Sequence, residues 1–245
     1  MNASKHYLGG NMRKNAWKMA KVNLKRLRAP YVVTGIVAGA SFLNTLVFVI
    51  LGLAGVNVSG GGMDSAGNML WLLPLLAGIF IPAKNFRRII NLGGKRGSFF
   101  WGSLAAHAAL AFMVSLASLA LFYTFDRAVE SAGFFDVWNF IEVLGWAQRG
   151  PIVAFLQQFA FLFLLATFAH TLTAMQGKWY GWATNIALVA IVSVFTPIAP
   201  LRAGLAWFFD LILTHRLPFL QILACIALGL GVYALSKPIL ARKAV

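Results

Sequence analysis

The sequence predicts an all-α integral membrane protein with six transmembrane helices, and three observations support this prediction. Of its 245 residues, 60% are apolar and 11% are charged, whereas soluble domains have roughly 45–50% apolar and about 25% charged residues. The apolar residues form long runs, and loops rich in basic residues alternate along the chain with loops poor in them. This composition excludes both an ordinary soluble domain and a disordered chain.

Six apolar segments are each close to the roughly 17–25 residues that a helix needs to cross the hydrocarbon of a bilayer. They cover residues 31–55, 69–83, 98–123, 151–175, 182–199 and 219–236. The second segment is short, contains Pro74 and ends at Pro82. We therefore expect it to begin a turn earlier, near Gly67, or to be kinked.

The loops between these segments divide into a basic and an acidic set. The basic set holds 17 basic residues: eight in residues 1–30, five in segment 84–97, and four at Lys178 and in the C-terminal tail. The other loops hold four basic residues and all six acidic ones. Because cytoplasmic loops retain Lys and Arg, we predict a plasma-membrane protein with both termini in the cytoplasm. Anionic lipid headgroups account for the net charge, so no nucleic-acid partner is expected.

Residues 1–30 form a basic amphipathic segment ahead of the membrane domain 31–245. No cleavable signal peptide is expected, because the first apolar segment begins only after these polar residues. A basic stripe comprises Lys14, Lys18, Lys21, Lys25 and Arg28, and an adjoining apolar face comprises Trp17, Ala20, Leu24 and Leu27. This pattern predicts a helix at the cytoplasmic interface, ended by Pro30. A polybasic tail without regular structure is the alternative.

Segment 84–97 is the longest predicted cytoplasmic connection after the N-terminus. Phe86, Ile89 and Ile90 share one face of a short predicted helix, which the pair Gly93-Gly94 ends. Exposed apolar side chains need a covering surface, so this face is expected to contact lipid or another protein. No phosphate-binding loop is present here, because Arg96 stands where that motif requires Ser or Thr.

The connection between the fifth and sixth segments, residues 200–218, is too apolar for a free loop. It also contains Arg202, Asp210, His215 and Arg216, which make it too charged for a span. We predict short helices lying in or dipping into the outer leaflet. An ordinary interfacial belt anchored by Trp207 is the alternative.

This layout resembles the permeases of the type-2 exporter class of ABC transporters, and specifically the short bacterial permease subunits encoded apart from their ATPase. The resemblance covers nearly the whole chain. It rests on the amphipathic basic helix, the six spans, the helical connection before the last span, and the first cytoplasmic loop. That loop contains Phe86-Arg87-Arg88, followed by Gly94-Lys95-Arg96-Gly97-Ser98-Phe99-Phe100-Trp101-Gly102.

The resemblance implies a homo- or heterodimer of permease subunits, each docked on a separate ATPase that binds ATP and Mg; this chain itself holds no cofactor. It implies ATPase-coupling roles for Phe86, Arg87, Arg88, Ile89, Ile90, Lys95 and Arg96. The interfacial helix, with Trp17, Lys18, Lys21, Leu24 and Lys25, would flank the ATPase. The exported substrate would be amphiphilic: a lipid, a drug or a peptide such as an antimicrobial peptide.

Polar residues within spans usually face a protein interior or a cavity. The candidate translocation path comprises Thr34, Ser41, Asn44 and Thr45 in the first span and Asn185 and Ser193 in the fifth. Gly35 and Gly39 form a small-xxx-small pair and are the candidate dimer contact. His107 and His170 are either hydrogen-bonded packing residues or titrating groups.

Two other classes of function stay open. An intramembrane enzyme would need paired carboxylates, a metal cluster or an activated Ser, and the chain contains neither HExxH nor Gly-x-Ser-x-Gly. Its one cysteine, Cys225, offers no disulfide and no cysteine metal site. A sensor or immunity protein would bind an external ligand through the acidic, aromatic loop 125–150.

Overall fold

The computed structural model describes residues 15–56, 62–133 and 135–242. Twelve helices, numbered in chain order, occupy these residues: α1 (15–25), α2 (Arg28–Leu53), α3 (Ala66–Met69), α4 (Leu72–Phe80), α5 (Phe86–Asn91), α6 (Arg96–Leu121), α7 (Arg127–Ser131), α8 (Phe140–Val143), α9 (Pro151–Met175), α10 (Trp179–Phe195), α11 (Ala199–Leu213) and α12 (Pro218–Arg242). Two π-helical turns, Ile81–Asn85 and Phe122–Asp126, and a 3-10 turn, Ala147–Arg149, join some of them. Two short strands, β1 (Met63–Asp64) and β2 (Val137–Trp138), pair in parallel, with Met63 opposite Val137.

Among the described residues, five stretches are long and apolar enough to cross a membrane, and the pair α10 and α11 adds a sixth if it is one broken span. The architecture is therefore that of an all-α membrane protein, as the sequence predicts. The fourth predicted segment coincides with α9. The second crossing begins at Ala66, near the expected Gly67, and runs to Asn91 through α3, α4, a π turn and α5.

α9 lies at the centre of the bundle and packs against α4, α6 and α12. One apolar cluster contains Phe86, Phe99, Ala174 and Leu240, so α5, the start of α6, and the ends of α9 and α12 meet at one end of the bundle. We call this the basic end, because segment 84–97 lies there. We call the opposite end, where Asp126 and β2 lie, the acidic end.

The helix α10 begins beside the end of α9 and carries the chain away from the basic end. The axis of α11 is turned by 117° from that of α10. The last turn of α11 is held at the acidic end, where the indole N–H of Trp146 donates to the carbonyl oxygen of Leu213 at 2.7 Å. The predicted helical connection before the last span is thus observed as one helix of 15 residues.

The two π turns each end at a buried polar residue, Asn85 and Asp126. Pro82 lies in the first of these turns. Its ring has no N–H to donate and crowds the preceding turn, which favours a locally wider helix. The wider turn changes the direction of the side chains that follow it. The side chain of Asn85, at the end of the turn, is directed into the protein.

The break between α1 and α2 differs from the prediction that Pro30 ends the N-terminal helix. The chain leaves α1 at Arg26 and Leu27, and Pro30 lies within the first turn of α2. This position suits proline, since the N–H groups of the first helical turn have no partner within the helix. Lys14, which belongs to the predicted basic stripe, lies outside the described residues.

Candidate functional site

The helix α5 turns its apolar face into the protein, which corrects the expectation that this face is free for a partner. Phe86 is fully buried and Ile89 is 5% exposed. The Phe86 ring packs edge-to-face on Phe99, with centroids 5.2 Å apart. Half-buried Ile90 packs against the same cluster. This apolar cluster of the same chain therefore covers the face that was expected to contact lipid or another protein.

The surface that α5 leaves open is basic, with one large apolar side chain at its tip. Arg87, Arg88 and Lys95 are exposed, and Leu92 is 73% exposed. We call these four residues the tip surface. It retains the predicted charges but replaces Phe86 and Ile89 with Leu92 as the apolar contact.

Arg96 is engaged within the chain and does not belong to the tip surface. Its guanidinium donates to the carbonyl oxygens of Leu240, at 3.1 Å, and of Ala241. These carbonyls lie at the end of α12, where a helix carries negative partial charge and lacks donors. Arg96 therefore fixes the start of α6 to the end of α12.

The helix α1 packs on the bundle through a face that is rotated from the predicted one. Ala20, Asn23 and Leu27 are buried. Trp17 is 55% exposed, with the Lys21 ammonium 5.7 Å from its ring centroid. Lys18, Lys21 and Lys25 are exposed as predicted, and Leu24 is half-buried. The contact with α6 is close because a Cβ at Gly102 would lie 2.6 Å from that of Met19.

A chain of hydrogen bonds joins three segments at the basic end. The Asn85 Nδ2 donates to the Oδ1 of Asn23, and the Asn23 Nδ2 donates to the Ser103 hydroxyl, each at 3.2 Å. All three side chains are buried. Asn23 is not among the predicted site residues, although its spacing from Ala20 and Leu27 places it on the packing face. Asn85 was not predicted because its buried position depends on the π turn, which the sequence pattern does not indicate.

The two histidines form a pair in the interior of the bundle. The Nε2 of His107 lies 3.0 Å from the Nδ1 of His170, and both residues are fully buried. The ring of Tyr233 lies 5.0 Å from that of His170, and its hydroxyl donates to the carbonyl oxygen of Phe100 at 2.6 Å. Each histidine thus has a packing contact and a hydrogen-bond partner, but the Nδ1 of His107 is buried without a partner among the described residues, so both alternatives for the pair stay open.

The polar stripe of α2 faces the neighbouring segments of the same chain. The Ser41 hydroxyl donates to the carbonyl oxygen of Asp64 at 2.8 Å, and the Thr45 hydroxyl donates to that of Ser41 at 3.1 Å. The Asn44 amide lies 3.3 Å from the sulfur of Met63. Thr34 is buried. Three of these four candidate path residues are therefore used in local hydrogen bonds.

The candidate path residues of α10 lie in different surroundings. Asn185 is 3.4 Å from the side chain of Gln176, and Ser193 is exposed. α10 packs against α9 and α11, whereas α2 packs against α3 and α4. The two candidate sets thus have different neighbours within one subunit.

Gly35 and Gly39 lie on an open face of α2. A Cβ added at either glycine would meet no atom of the described residues within 4 Å. No close helix packing within the described residues accounts for this small-xxx-small pair. Its role as a dimer contact stays a prediction.

Three buried side chains form a polar lock at the acidic end. The Ser65 hydroxyl donates to Asp126 Oδ2 at 2.6 Å, and the Asn139 Nδ2 donates to the same oxygen at 2.8 Å. Ser65 and Asn139 are also the N-caps of α3 and α8. The lock joins two outer connections to α6, beside an open pocket of about 390 Å³ lined by Glu130, Asp136, Val137, Trp138, Asn139, Glu142 and Val143.

Comparison with known proteins returned no matching family model, no matching curated protein and no matching solved structure. Within residues 15–56, 62–133 and 135–242, no group of three or more His, Cys, Asp or Glu side chains is placed to hold a metal ion. The features that bear on function are the geometry of the basic end, the bent pair α10–α11 and the open faces of α2 and α10.

Proposed function

We propose that this chain is the membrane-spanning permease subunit of an ATP-driven exporter, acting with a separate ATPase and a second permease subunit. The observation that carries the proposal is the bent pair α10–α11. The apolar helix α10 is followed, after a turn of 117°, by α11, whose last turn is held at the acidic end by Trp146. The resemblance implies short re-entrant helices at this position, near the exit of the substrate path.

The basic end supports the proposal because a force applied to α5 would reach three other helices. Asn85 connects the start of α5 to α1 and α6 through Asn23 and Ser103. Arg96 connects the end of the same segment to α12. An ATPase that moved the tip surface would thereby move α1, α6 and α12 together. The ATPase would bind ATP and Mg, and this chain would transmit the movement of the ATPase to its spans.

The helices α2 and α10 support the proposed second subunit. Gly181 is the single buried residue of α10, which is described along its whole length. The open pair Gly35 and Gly39 allows a helix of another subunit to approach closely. In a dimer formed through these faces, Asn185 and Ser193 of one subunit would lie near α2 of the other. The cargo of such a cleft would be amphiphilic.

The experiment is gentle purification of the tagged protein from its native cells, followed by measurement of ATP hydrolysis in the purified complex. The double variant Arg88→Glu, Leu92→Ala is expected to lose the hydrolysing partner, because it removes the exposed apolar contact and reverses a neighbouring charge. Its thermal stability is expected to stay unchanged, because both side chains are exposed.

The matched control is Leu53→Ala, which removes a side chain of similar exposure, 72%, at the other end of the bundle. It is expected to retain the ATPase. Phe86→Ala is expected to destabilise the subunit by about 3–5 kcal/mol, since it empties a buried aromatic site. Wild-type protein that purifies without any ATP-hydrolysing subunit would contradict the proposal.

The pocket at the acidic end favours a second candidate, a membrane sensor or immunity protein for a cationic external ligand. Glu130, Asp136 and Glu142 line it together with the exposed ring of Trp138. Arg127 offsets part of this charge, because its guanidinium lies 3.0 Å from Glu130 and 3.3 Å from Glu142. Absence of an ATPase in the purification would favour this candidate.

A further inference from the structure

The interface between α6 and α9 contains two apolar clusters at different depths. One cluster includes Val114 of α6 and Leu162 of α9. The other lies nearer the acidic end and includes Phe122, which follows α6, and Ala154 of α9. The two helices run in opposite directions, so the spacing between the clusters is eight residues on each.

Ser118 and Gln158 lie midway between these clusters. Each is four residues from the members of both clusters on its own segment. Residues four apart share a helical face. Ser118 and Gln158 therefore face the same interface at the same depth and form a polar layer between two apolar ones.

The polar atoms of this layer have no direct partners. Both residues are fully buried. The Ser118 hydroxyl and both amide atoms of Gln158 find no hydrogen-bond partner among the described residues. The same is true of the indole N–H of Trp71, whose ring packs against both clusters and lies 5.7 Å from that of Phe161. Leaving so many buried donors and acceptors unpaired is unfavourable.

The backbone of Gly67 packs closely against one side of this layer. A Cβ at Gly67 would lie 3.0 Å from the Ser118 hydroxyl oxygen and 3.1 Å from that of Ser65. Ser65 is already used, since it donates to Asp126 and accepts from the backbone N–H of Gly67. The layer thus lies next to the polar lock without sharing its hydrogen bonds.

We propose that Ser118, Gln158 and Trp71 form a binding site for internal water. The Trp71 N–H and the Gln158 amide donate to water, and the Gln158 carbonyl oxygen and the Ser118 hydroxyl accept from it. A buried water typically has two to four such partners, and these side chains supply that number. The site lies within one subunit and does not depend on the proposed export function.

X-ray radiolytic footprinting of the full-length protein in detergent tests the site, because bound water produces hydroxyl radicals that label the adjacent side chains. Phe122 and Leu162, each fully buried beside the layer, are the reporters. Phe86 and Phe99 are equally buried in the cluster at the basic end and serve as matched controls. We expect labelling of Phe122 and Leu162 at least several-fold above that of the controls. Equal labelling of both pairs would overturn the proposal.

The variant Gln158→Leu provides a second measurement in which a wet and a dry layer have opposite signs. If water satisfies the amide, Leu leaves that water short of partners, so the Tm falls and the reporter labelling decreases. If the layer is dry, Leu removes an unsatisfied polar group, so the Tm rises, and this result would overturn the proposal. Ser118→Ala replaces it if Gln158→Leu does not fold, and is expected to decrease the labelling of Phe122. Unchanged labelling in that variant would count against the site.

Discussion

The helices α9 and α2 have similar length and hydropathy but very different burial. Of the most apolar stretch of each helix, 50% is buried in α9 and 6% in α2. The buried residues of α9 are largely Ala, Gln, Thr and His, together with larger apolar side chains, whereas α2 turns Val32, Ile36, Leu43 and Val47 outward. Small and polar residues allow helices to pack within a membrane, whereas bulky aliphatic ones suit lipid. Hydropathy therefore identifies a span but not what covers it.

The largest expected effect contrasts two glycines of these regions. Gly78 of α4 lies against α9, where a Cβ would come 2.5 Å from the carbonyl oxygen of Ala166. Gly78→Leu is expected to prevent folding, because neither backbone can move without breaking the packed interface. The recovery of monodisperse protein in detergent measures this.

The matched variant Gly39→Leu is expected to leave the fold of the subunit intact, since nothing in the described residues lies within 4 Å of its Cβ. In the proposed dimer the same change would block close approach, so the mass of the complex would fall to that of one permease subunit. Loss of folding in Gly39→Leu would show that α2 is packed more tightly than its burial indicates.

A moderate effect is expected at the polar lock. Asp126→Ala leaves the buried Ser65 hydroxyl without its acceptor and leaves the Asn139 amide with only its hydrogen bond to Ser65, which typically costs about 1–3 kcal/mol. Asp136→Ala changes an exposed carboxylate of the same loop region and is expected to alter stability by no more than about 0.5 kcal/mol. Thermal unfolding of both variants measures the difference, and equal midpoints would mean that the lock contributes no stability.

The last expected effect concerns the hydrogen bonds that hold the end of α11. Gln221 donates to the carbonyl oxygens of Ile212 at 3.1 Å and Leu213 at 3.0 Å. Gln221 also accepts a hydrogen bond from the buried amide of Gln157, so Gln221→Leu is expected to cost about 1–3 kcal/mol and to speed hydrogen exchange of the last turn of α11. Trp146 still binds Leu213 in this variant, so α11 is expected to remain helical. Ser193→Ala, on the exposed surface of α10, serves as the control. Unchanged exchange in the Gln221 variant would place the hold on α11 elsewhere.

Much of the fold was predictable because a helix must satisfy its backbone within the segment when it lies in hydrocarbon. The fourth predicted segment and α9 coincide, and the other long helices begin and end within a few residues of prediction or extend beyond it. The helical nature of residues 84–97 and 200–218 followed from their apolar residues as well.

The candidate site was less predictable, because the direction of a face depends on its neighbours. Phe86 and Ile89 were expected to face a partner, since a connecting loop is usually solvated. The structure instead packs them against Phe99 and its neighbours. Arg96 was expected to face the same partner, but the unpaired carbonyls at the end of α12 attract it. Neither α12 nor Phe99 is close enough in sequence to reveal these contacts.

The sequence by itself determined the class of the protein, the approximate position of each long apolar helix and the uneven distribution of charge. These properties depend on local composition, and a bilayer-spanning helix is selected by composition and length. The tertiary structure alone decided which of those helices are packed, since burial requires small or polar residues on two helices to meet. It joined His107 to His170 and Asn23 to Asn85, pairs 63 and 62 residues apart in the chain. It also left Leu92 exposed and Phe86 buried on one short helical segment, because only one face of that segment meets the bundle.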